Sequence, residues 1–423
     1  MQPEFTPKTI MPAPEFFNVQ PVQAALENLF AHWNPIPTFE TLDPRNALDR
    51  VLAKPTYSPI NLPTFTRSTM DGYALRAADT FGASQSLPVY LTCIGAIPMG
   101  VQSDIHIGQG ETVEIHTGGM LPSGADAVVM IERTQIVSDN EIEVLAPVAN
   151  GENVIQIGED VAEGDLILPA GHRIRPPDIG GLLSVGITSV EVAIKPKFGI
   201  LSCGDELVLP EGNPTSGQIR DINAHTLAAL IQQSGGDPIL LGIARDTFED
   251  YQRLAHHGFA DVDILVMTAG SSVSTRDYTR DVINSLGQPG VLQHGLAVKP
   301  GKPTILAVCD GKPVIGLPGN PVSALLIARQ ILVPIIKHRL GELPQYPHTI
   351  KAKLTSNIPS STGRDDTIPI KLIERDGELF AEPIFGKSNL IFTLVNADGL
   401  LHIPLNSNGI KAGTLVEIVR FND

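Results

Sequence analysis

The chain has 423 residues, with 30 Lys and Arg against 46 Asp and Glu, for a formal net charge of −16. At roughly 100–200 residues per domain this length suggests about three domains, and 42% hydrophobic with 18% charged residues excludes disorder for most of it. An acidic surface argues against non-specific nucleic-acid or anionic-membrane binding, and 5% aromatics with a single tryptophan, Trp33, argue against a stacking platform for single strands. Cys93, Cys203 and Cys309 are odd in number and far apart, so no disulfide framework or zinc spacing is present. No apolar run reaches the ~18 residues needed to span a bilayer, and Met1 to Phe17 carries four prolines without an apolar signal core. These features predict a cytoplasmic protein.

Residues 1–17 read as a Pro-rich tail. A helix is expected over Val19–Trp33, where Val22, Ala25, Leu29 and Phe30 fall near helical spacing. A second, short helix is expected over Pro44–Leu52, with Asp43 as N-cap. From Pro55 to Pro147, short β-type runs such as Leu87–Ile94 and Ala127–Glu132 alternate with Gly, Pro and Asp turns. Residues 153–193 read as a connector with its own strands, a turn at Pro169–His172 and a helix at Ile179–Val185 ended by Gly186.

From Phe198 to Leu340 strand and helix alternate. Strands are expected at Phe198–Ser202, Pro238–Ile243, Ile264–Thr268, Thr304–Val308 and Val314–Leu317. Helices are expected at Ile222–Gln233, from Asp246 to His256, from Asp277 to Leu286, and from Asn320-Pro321 to Leu340 with a kink at Pro334. That alternation predicts a mostly parallel sheet covered on both faces. Short strands at Ile350–Leu354, Thr367–Leu372, Leu379–Ile384, Leu400–Ile403 and Leu415–Val419 predict a C-terminal β-barrel.

In an open parallel sheet, ligands bind beyond the carboxyl ends of the strands. Asp205-Glu206 directly follows a strand and suits a divalent cation, or equally a capped turn and a solvated acid. Asp246 and Asp277 each stand where a helix N-cap would explain them. The stretch from Gly270 through Ser272 to Asp277 is a small, hydroxyl-rich loop whose N–H groups can cradle an oxyanion; it is neither a Walker loop nor a Rossmann fingerprint. Lys299-Pro300-Gly301-Lys302 sets two cations on one stiff turn, suited to a small dianion or to a solvated hairpin. Pro318-Gly319-Asn320-Pro321 is a strand-to-helix elbow with Ser323 in the first turn of the helix. Asp71 in Met70-Asp71-Gly72, Thr117-Gly118-Gly119 and Gly158-Glu159-Asp160 read by themselves as ordinary turns. Gly-x-Ser-x-Gly, His-Glu-x-x-His and Cys-x-x-Cys are missing, which removes support for a serine hydrolase or a zinc enzyme.

Seven motifs in order nevertheless resemble one family. They are Ser68-x-Met70-Asp71-Gly72-Tyr73-Ala74, Thr117-Gly118 through Val129, Gly158-Glu159-Asp160, Gly204-Asp205-Glu206-Leu207, Asp277-Tyr278-Thr279, Lys299-Pro300-Gly301-Lys302-Pro303 and Gly316 through Ala324. Together they are similar to the molybdopterin molybdenumtransferases of MoeA type, which are related to the gephyrin E domain, and the likeness covers nearly everything after the tail. The resemblance implies insertion of molybdate into adenylylated molybdopterin with release of AMP and help from Mg²⁺. It implies a homodimer whose active cleft lies between subunits, with the molybdopterin adenylyltransferase as a partner enzyme. It also implies a multidomain α/β-plus-β fold: a discontinuous connector domain (18–58 and 153–195), an inserted β-rich domain (59–152), a three-layer α/β molybdopterin-binding domain (196–341) and a C-terminal β-barrel (345–423).

By motif position the resemblance puts the catalytic residues at Asp71, Thr117, Glu206, Asp246 and Asp277. Metal ligation falls to Asp160, Glu206, Asp246 and Asp277. Substrate and molybdate contacts fall to Lys299, Lys302, Ser323, Arg364 and Ser388, with Gly270, Ser272, Pro318, Gly319 and Asn320 supplying the cradle and the elbow. The chain departs from the family pattern at Cys203 (Thr in the family), Ala269 and Ser274 (Gly), Lys387 (Gly) and Asp365-Asp366 (Glu-Glu). A molybdopterin adenylyltransferase resembles the α/β domain alone, so the flanking domains count against that reading. A scaffold that binds molybdopterin without turnover is the other alternative, and the retained acids and lysines favour catalysis over it.

Overall fold

A computed structural model of the chain describes residues 18–269, 273–345 and 348–421. The chain divides into two compact units, Met1–Glu40 with Ala193–Asp423, and Thr41–Val192. Helix α1 spans Val22–His32 and buries Ala25, Leu26 and Leu29. Asp43 caps as expected, accepting the Arg45 N–H at 2.9 Å, but the element it caps is a single 3₁₀ turn, Pro44–Asn46. The expected helix to Leu52 does not form: Asp49 takes a left-handed φ of 60°, which ends helical propagation.

The 41–192 unit is built on a six-stranded, mostly antiparallel sheet. Its strands are β1 (Gly72–Leu75), β2 (Val89–Ala96), β3 (Glu111–Ile115), β4 (Ala127–Met130), β5 (Thr134–Ser138) and β6 (Glu141–Val144), in the order β4-β1-β3-β2-β6-β5. Alternate residues fill two cores, one around Tyr73, Leu91, Val129 and Ile142, the other around Ile107, Val113, Ile115 and Val128. Helix α2, Pro176–Ser184, starts four residues after the Pro169–His172 turn. Asp178 is buried there; it accepts the Arg175 N–H at 2.7 Å and Nε at 3.0 Å, and pairs with His172 Nε2 at 2.6 Å.

The other unit contains the α/β layer. Strands β7 (Lys197–Cys203), β8 (Asp237–Ala244) and β9 (Ile264–Ala269) alternate with helices α3 (Asn223–Ser234), α4 (Phe248–Ala260) and α5 (Val273–Ser285). Then come β10 (Pro289–His294), the two-residue β11 (Val298–Lys299), β12 (Ile305–Cys309), β13 (Lys312–Pro318) and helix α6 (Pro321–Leu340). The sheet order is β8-β7-β9-β13-β12-β10, with the first four strands parallel and β12 and β10 antiparallel. Every residue of β9 is buried, as a strand covered on both faces requires. β10 was not expected from the sequence. It begins with Pro289-Gly290 on the sheet edge, the one place where a proline's missing N–H leaves no ladder bond unmade.

α6 continues through Pro334 as one twenty-residue element. It is long and apolar enough to cross a bilayer, but more than half of its most apolar stretch is buried inside the protein, as in a core helix. α1 packs against β10, β12 and α6. There Phe30 stacks on His338 at 4.3 Å between ring centroids, and Trp33 lies 5.6 Å from the same imidazole. The barrel follows, from β14 (Thr349–Leu354), β15 (Asp365–Arg375), β16 (Glu378–Pro383), β17 (Gly399–Ile403) and β18 (Leu415–Arg420). Its ring β15-β16-β14-β18-β17 closes through β15–β17 pairing, and β11 adds in parallel to the start of β15.

Candidate active site

In the 41–192 unit, antiparallel pairing of Gly72 with Ile115 brings the residues flanking β1 and β3 together. Asp71 Oδ1 accepts the Thr117 N–H at 2.7 Å and lies 3.6 Å from His116 Nδ1. The Thr117 bond, then the nearby His116, hold the Asp71 carboxyl below its usual range. Both Asp71 and Thr117 are exposed. Asp160 is exposed on a separate loop held by its own N–H to the Leu62 carbonyl at 3.0 Å, and its side chain makes no hydrogen bond or ion pair to Asp71 or Thr117.

The remaining candidates gather at the carboxyl ends of the parallel strands in the other unit. After β7 the chain turns at Gly204, whose φ of +155° is a backbone conformation that L side chains rarely adopt, so glycine suits the turn that presents Glu206. After β8, the expected capping role of Asp246 is not realised. Thr247 is the N-cap of α4, its hydroxyl accepting the Asp250 N–H at 3.4 Å. Asp246 is thereby released: its N–H donates to Asp205 Oδ1 at 3.1 Å, and its own Oδ1 is sealed from solvent with no hydrogen-bond partner. Burial, then the Asp205 and Glu206 charges, push the Asp246 carboxyl above its usual range. Burial, then the Asp246, Asp205 and Glu206 charges, push the neighbouring Cys203 thiol up to about 12, so it stays protonated.

Asp277 also proves not to be a cap, since α5 begins at Val273 and carries Asp277 in its interior. Its side chain, with Gly270 and Ser272, lies outside the described residues. Among the described residues no group of three or more His, Cys, Asp and Glu converges at metal-ligand spacing.

Two cavities open at these strand ends. One, of about 180 Å³, is lined by Pro318, Gly319, Asn320 and the buried Ser323 of the elbow, together with Thr279 and His294. The other, of about 360 Å³, shares Gly319 and Asn320 and includes Glu206. Asn320 precedes α6 without a side-chain cap bond, although the expected Pro321 does open the helix. Lys299 and Lys302 are exposed and line neither of these two cavities, but Pro303 lines the smaller one. Gly301, at φ +110°, approaches Ile327 so closely that a Cβ would lie 2.9 Å from the Ile327 Cβ, which seats the lysine turn against α6. β11–β15 pairing sets Lys299 opposite Asp366, whose Oδ1 holds Arg364 Nε at 2.9 Å. Ser388 accepts the Val322 N–H at 3.0 Å through its backbone carbonyl, at the first turn of α6.

Comparison with known proteins matches this arrangement along the chain. Residues 20–186 match the family model "MoeA N-terminal region (domain I and II)", 199–338 "Probable molybdopterin binding domain", and 351–421 "MoeA C-terminal region (domain IV)". A molybdopterin molybdenumtransferase of Haemophilus influenzae is 33% identical over 393 residues, covering 92% of this chain and 95% of that protein. The chain belongs to the MoeA family. The crystal structure of a molybdopterin biosynthesis MoeA protein from Pyrococcus horikoshii superposes with a TM-score of 0.79 at 37% identity, covering 96% of this chain and 99% of that one. A molybdopterin molybdenumtransferase of Staphylococcus aureus is 29% identical over 95% of this chain and 96% of its own length. The multidomain α/β-plus-β architecture expected from the motifs is that of the MoeA fold.

Three crevice residues of this MoeA chain escaped the sequence reading, His294, Asp221 and Asn223, while Thr279 stands in the motif Asp277-Tyr278-Thr279 without having been given a role. His294 ends the unforeseen strand β10, so its position at the strand ends was hidden with it. Asp221-Ile222-Asn223 precedes a helix and reads as capping chemistry; its only earlier signal is two amide or acid side chains where one cap suffices.

Proposed function

We propose that the chain is a molybdopterin molybdenumtransferase that inserts molybdate into adenylylated molybdopterin and releases AMP. The observation that carries this reading is the pairing, at one set of strand ends, of an acid group that lacks a counter-charge among the described residues with a small cavity at the start of α6. Asp246 keeps a sealed, unpartnered oxygen beside Asp205 and Glu206. Ser323, Asn320 and the elbow amides suit a small oxyanion. Lys299 and Lys302 supply cations on the adjoining turn, and Arg364 and Ser388 extend the polar rim.

The acids fit Mg²⁺, which takes one or two carboxylates and completes its shell with water and phosphate oxygens. Glu206 and Asp246 would hold it, with Asp277 and Asp160 assigned by motif position, and when bound it would neutralise charge on the phosphates of the leaving adenylyl group. The protein's own part is to orient the substrate and hold the oxyanion, with Asp71 and Thr117 completing the catalytic set. The reading includes a homodimer, cytoplasmic location, the four-part domain division set out from the sequence, and supply of substrate by a molybdopterin adenylyltransferase.

The test is turnover of purified protein with adenylylated molybdopterin, molybdate and Mg²⁺, followed by AMP release and reconstitution of a molybdenum apoenzyme. Binding of both substrates without AMP release would leave the scaffold reading in its place. Light scattering at twice the 45.2 kDa chain mass is expected for the dimer.

A further inference from the structure

The larger cavity holds two buried polar side chains that the reaction as read so far does not use. Asp221 is 5% exposed. One of its oxygens accepts the Ala224 N–H at 3.2 Å, and among the described residues no cation pairs with the carboxylate. Arg220, next to it in sequence, is directed elsewhere, onto the Pro210 and Gly212 carbonyls at 2.9 and 3.2 Å. Asn223 is 9% exposed and donates Nδ2 to the Gly319 carbonyl at 2.7 Å. A carbonyl only accepts, so this bond fixes the amide orientation and leaves Asn223 Oδ1 as a buried acceptor with no partner. Asn320, Asn389 and Thr268 line the same space. Arg220 lines it too, with its guanidinium engaged by the Pro210 and Gly212 carbonyls, and the two buried acceptors, on Asp221 and Asn223, ask for a ligand that donates.

We infer that this cavity receives the pyrimidine edge of the pterin, and that Asp221 is the residue that reads it. The inference rests on the proposed molybdopterin substrate. A 2-amino-4-oxopteridine presents its 2-amino N–H and its N3–H side by side, two parallel donors that match the two parallel acceptors of a carboxylate. Adenine presents a donor beside an acceptor on its corresponding edge, which a carboxylate cannot match. Asp221 therefore separates the two heterocycles of one substrate, drawing the pterin toward α3 and leaving the adenylyl group outside. Asn223 Oδ1 adds a further acceptor to the same wall. Guanine carries the same donor pair as a pterin, so edge chemistry alone does not distinguish them.

The probes are pterin-6-carboxylate, followed by its own fluorescence, and lumazine-6-carboxylate, in which a carbonyl replaces the 2-amino donor. Both are titrated into full-length wild type and Asp221→Asn, with GMP and AMP as competitors. The wild type should bind the pterin at least about tenfold more tightly than the lumazine. Asp221→Asn should bring the two within about twofold or reverse them, because the carboxamide turns an N–H toward the 2-oxo group. Its melting temperature should hold, since Asn also accepts the Ala224 N–H. AMP should compete equally weakly in both proteins. An unchanged preference in Asp221→Asn, or a wild type that binds both probes alike, overturns the assignment; the wild-type ratio suffices for this if the variant does not fold. GMP competing as strongly as the pterin, through Asp221, assigns the cavity to a guanine nucleotide and also overturns it. Wild-type turnover with adenylylated molybdopterin and molybdate is measured alongside. Turnover with an unchanged preference removes the pterin subsite alone, whereas an inert wild type removes the functional reading on which it rests.

Discussion

Asp71, in the 41–192 unit, has an oxygen 2.7 Å from the Thr117 N–H, whereas Asp246, in the other, keeps a sealed oxygen with no partner. The first acid is exposed and held in place by one backbone bond and a nearby imidazole, and its carboxyl titrates below the usual range. The second is crowded by Asp205 and Glu206 and titrates above it. Local pairing completes Asp71 within the chain. Among the described residues nothing completes Asp246. An acid positioned by its neighbours and an acid destabilised by them look alike in a sequence, yet they serve a site in different ways: one offers fixed geometry, the other offers charge that a ligand can use.

Removing the charge at Asp246 should give the largest effect. Asp246→Asn is expected to lower turnover by about 100-fold or more while leaving the protein at least as stable at neutral pH. Because the folded pKa lies above the unfolded one, the stability associated with Asp246 is complete below about pH 3.8 and lost as pH rises through the folded value. The variant's advantage should therefore vanish in acid. Rates and thermal melts at neutral and acidic pH check both halves, and Mg²⁺ should raise the wild-type melting temperature more than that of the variant.

Next in size is the cationic turn of the same unit. Lys302→Ala should raise the half-saturating molybdate concentration by roughly 10- to 150-fold, the worth of one charge-assisted contact, and affect adenylylated molybdopterin binding much less. A molybdate titration of single-turnover rates that gave the wild-type midpoint would return the turn to a solvated hairpin. Gly204→Ala should follow. The φ of +155° there disfavours any side chain, and a Cβ would push the flexible Glu206 carboxylate, 2.6 Å away, out of place, so turnover should fall and stability drop by about 1 kcal/mol or more, read by rates and denaturant melts together. The smallest stability change belongs to Asp71→Asn, which keeps an acceptor for Thr117. Its folded pKa is lowered, so the stability due to its charge is present above about pH 3.8 and lost as pH falls through the folded value. A slight loss in melting temperature at neutral pH should fade toward acid. A loss at Asp71 as large as at any buried position would break the contrast between the two acids.

The alternation of apolar runs and helical spacings from Phe198 to Leu340 carried most of the α/β layer, because a strand buried on both faces, such as Ile264–Ala269, has few other residues it can use. The barrel strands were legible for a related reason, their turns being spelled out by Gly and Asp. What failed was decided by tertiary context. Pro289-Gly290 opens an edge strand that the sequence reading left out, and the expected Pro44–Leu52 helix gives way to one 3₁₀ turn, Pro44–Asn46. At the site, the motifs located Glu206, Ser323 and the elbow correctly at the strand ends. The same sequence could not tell that Thr247 rather than Asp246 would cap α4, since both are good caps and only the packed loop chooses. Asp221 and Asn223 were hidden in the same way, as cap-like residues whose burial beside a cavity only the fold reveals.

The contact between α1 and the end of α6 has an optical consequence. Trp33 is the single tryptophan, it is 5% exposed, and its indole lies 5.6 Å from the His338 ring. Burial lowers the His338 pKa below its ordinary 6.5, so the imidazole is neutral at physiological pH. Protonated imidazole quenches indole emission and neutral imidazole does so far less. With His338 neutral, the single buried indole is a bright internal fluorophore, and steady-state emission excited at roughly 295 nm reports the docking of the first helix in the unlabelled chain through the change from a buried to a solvated Trp33.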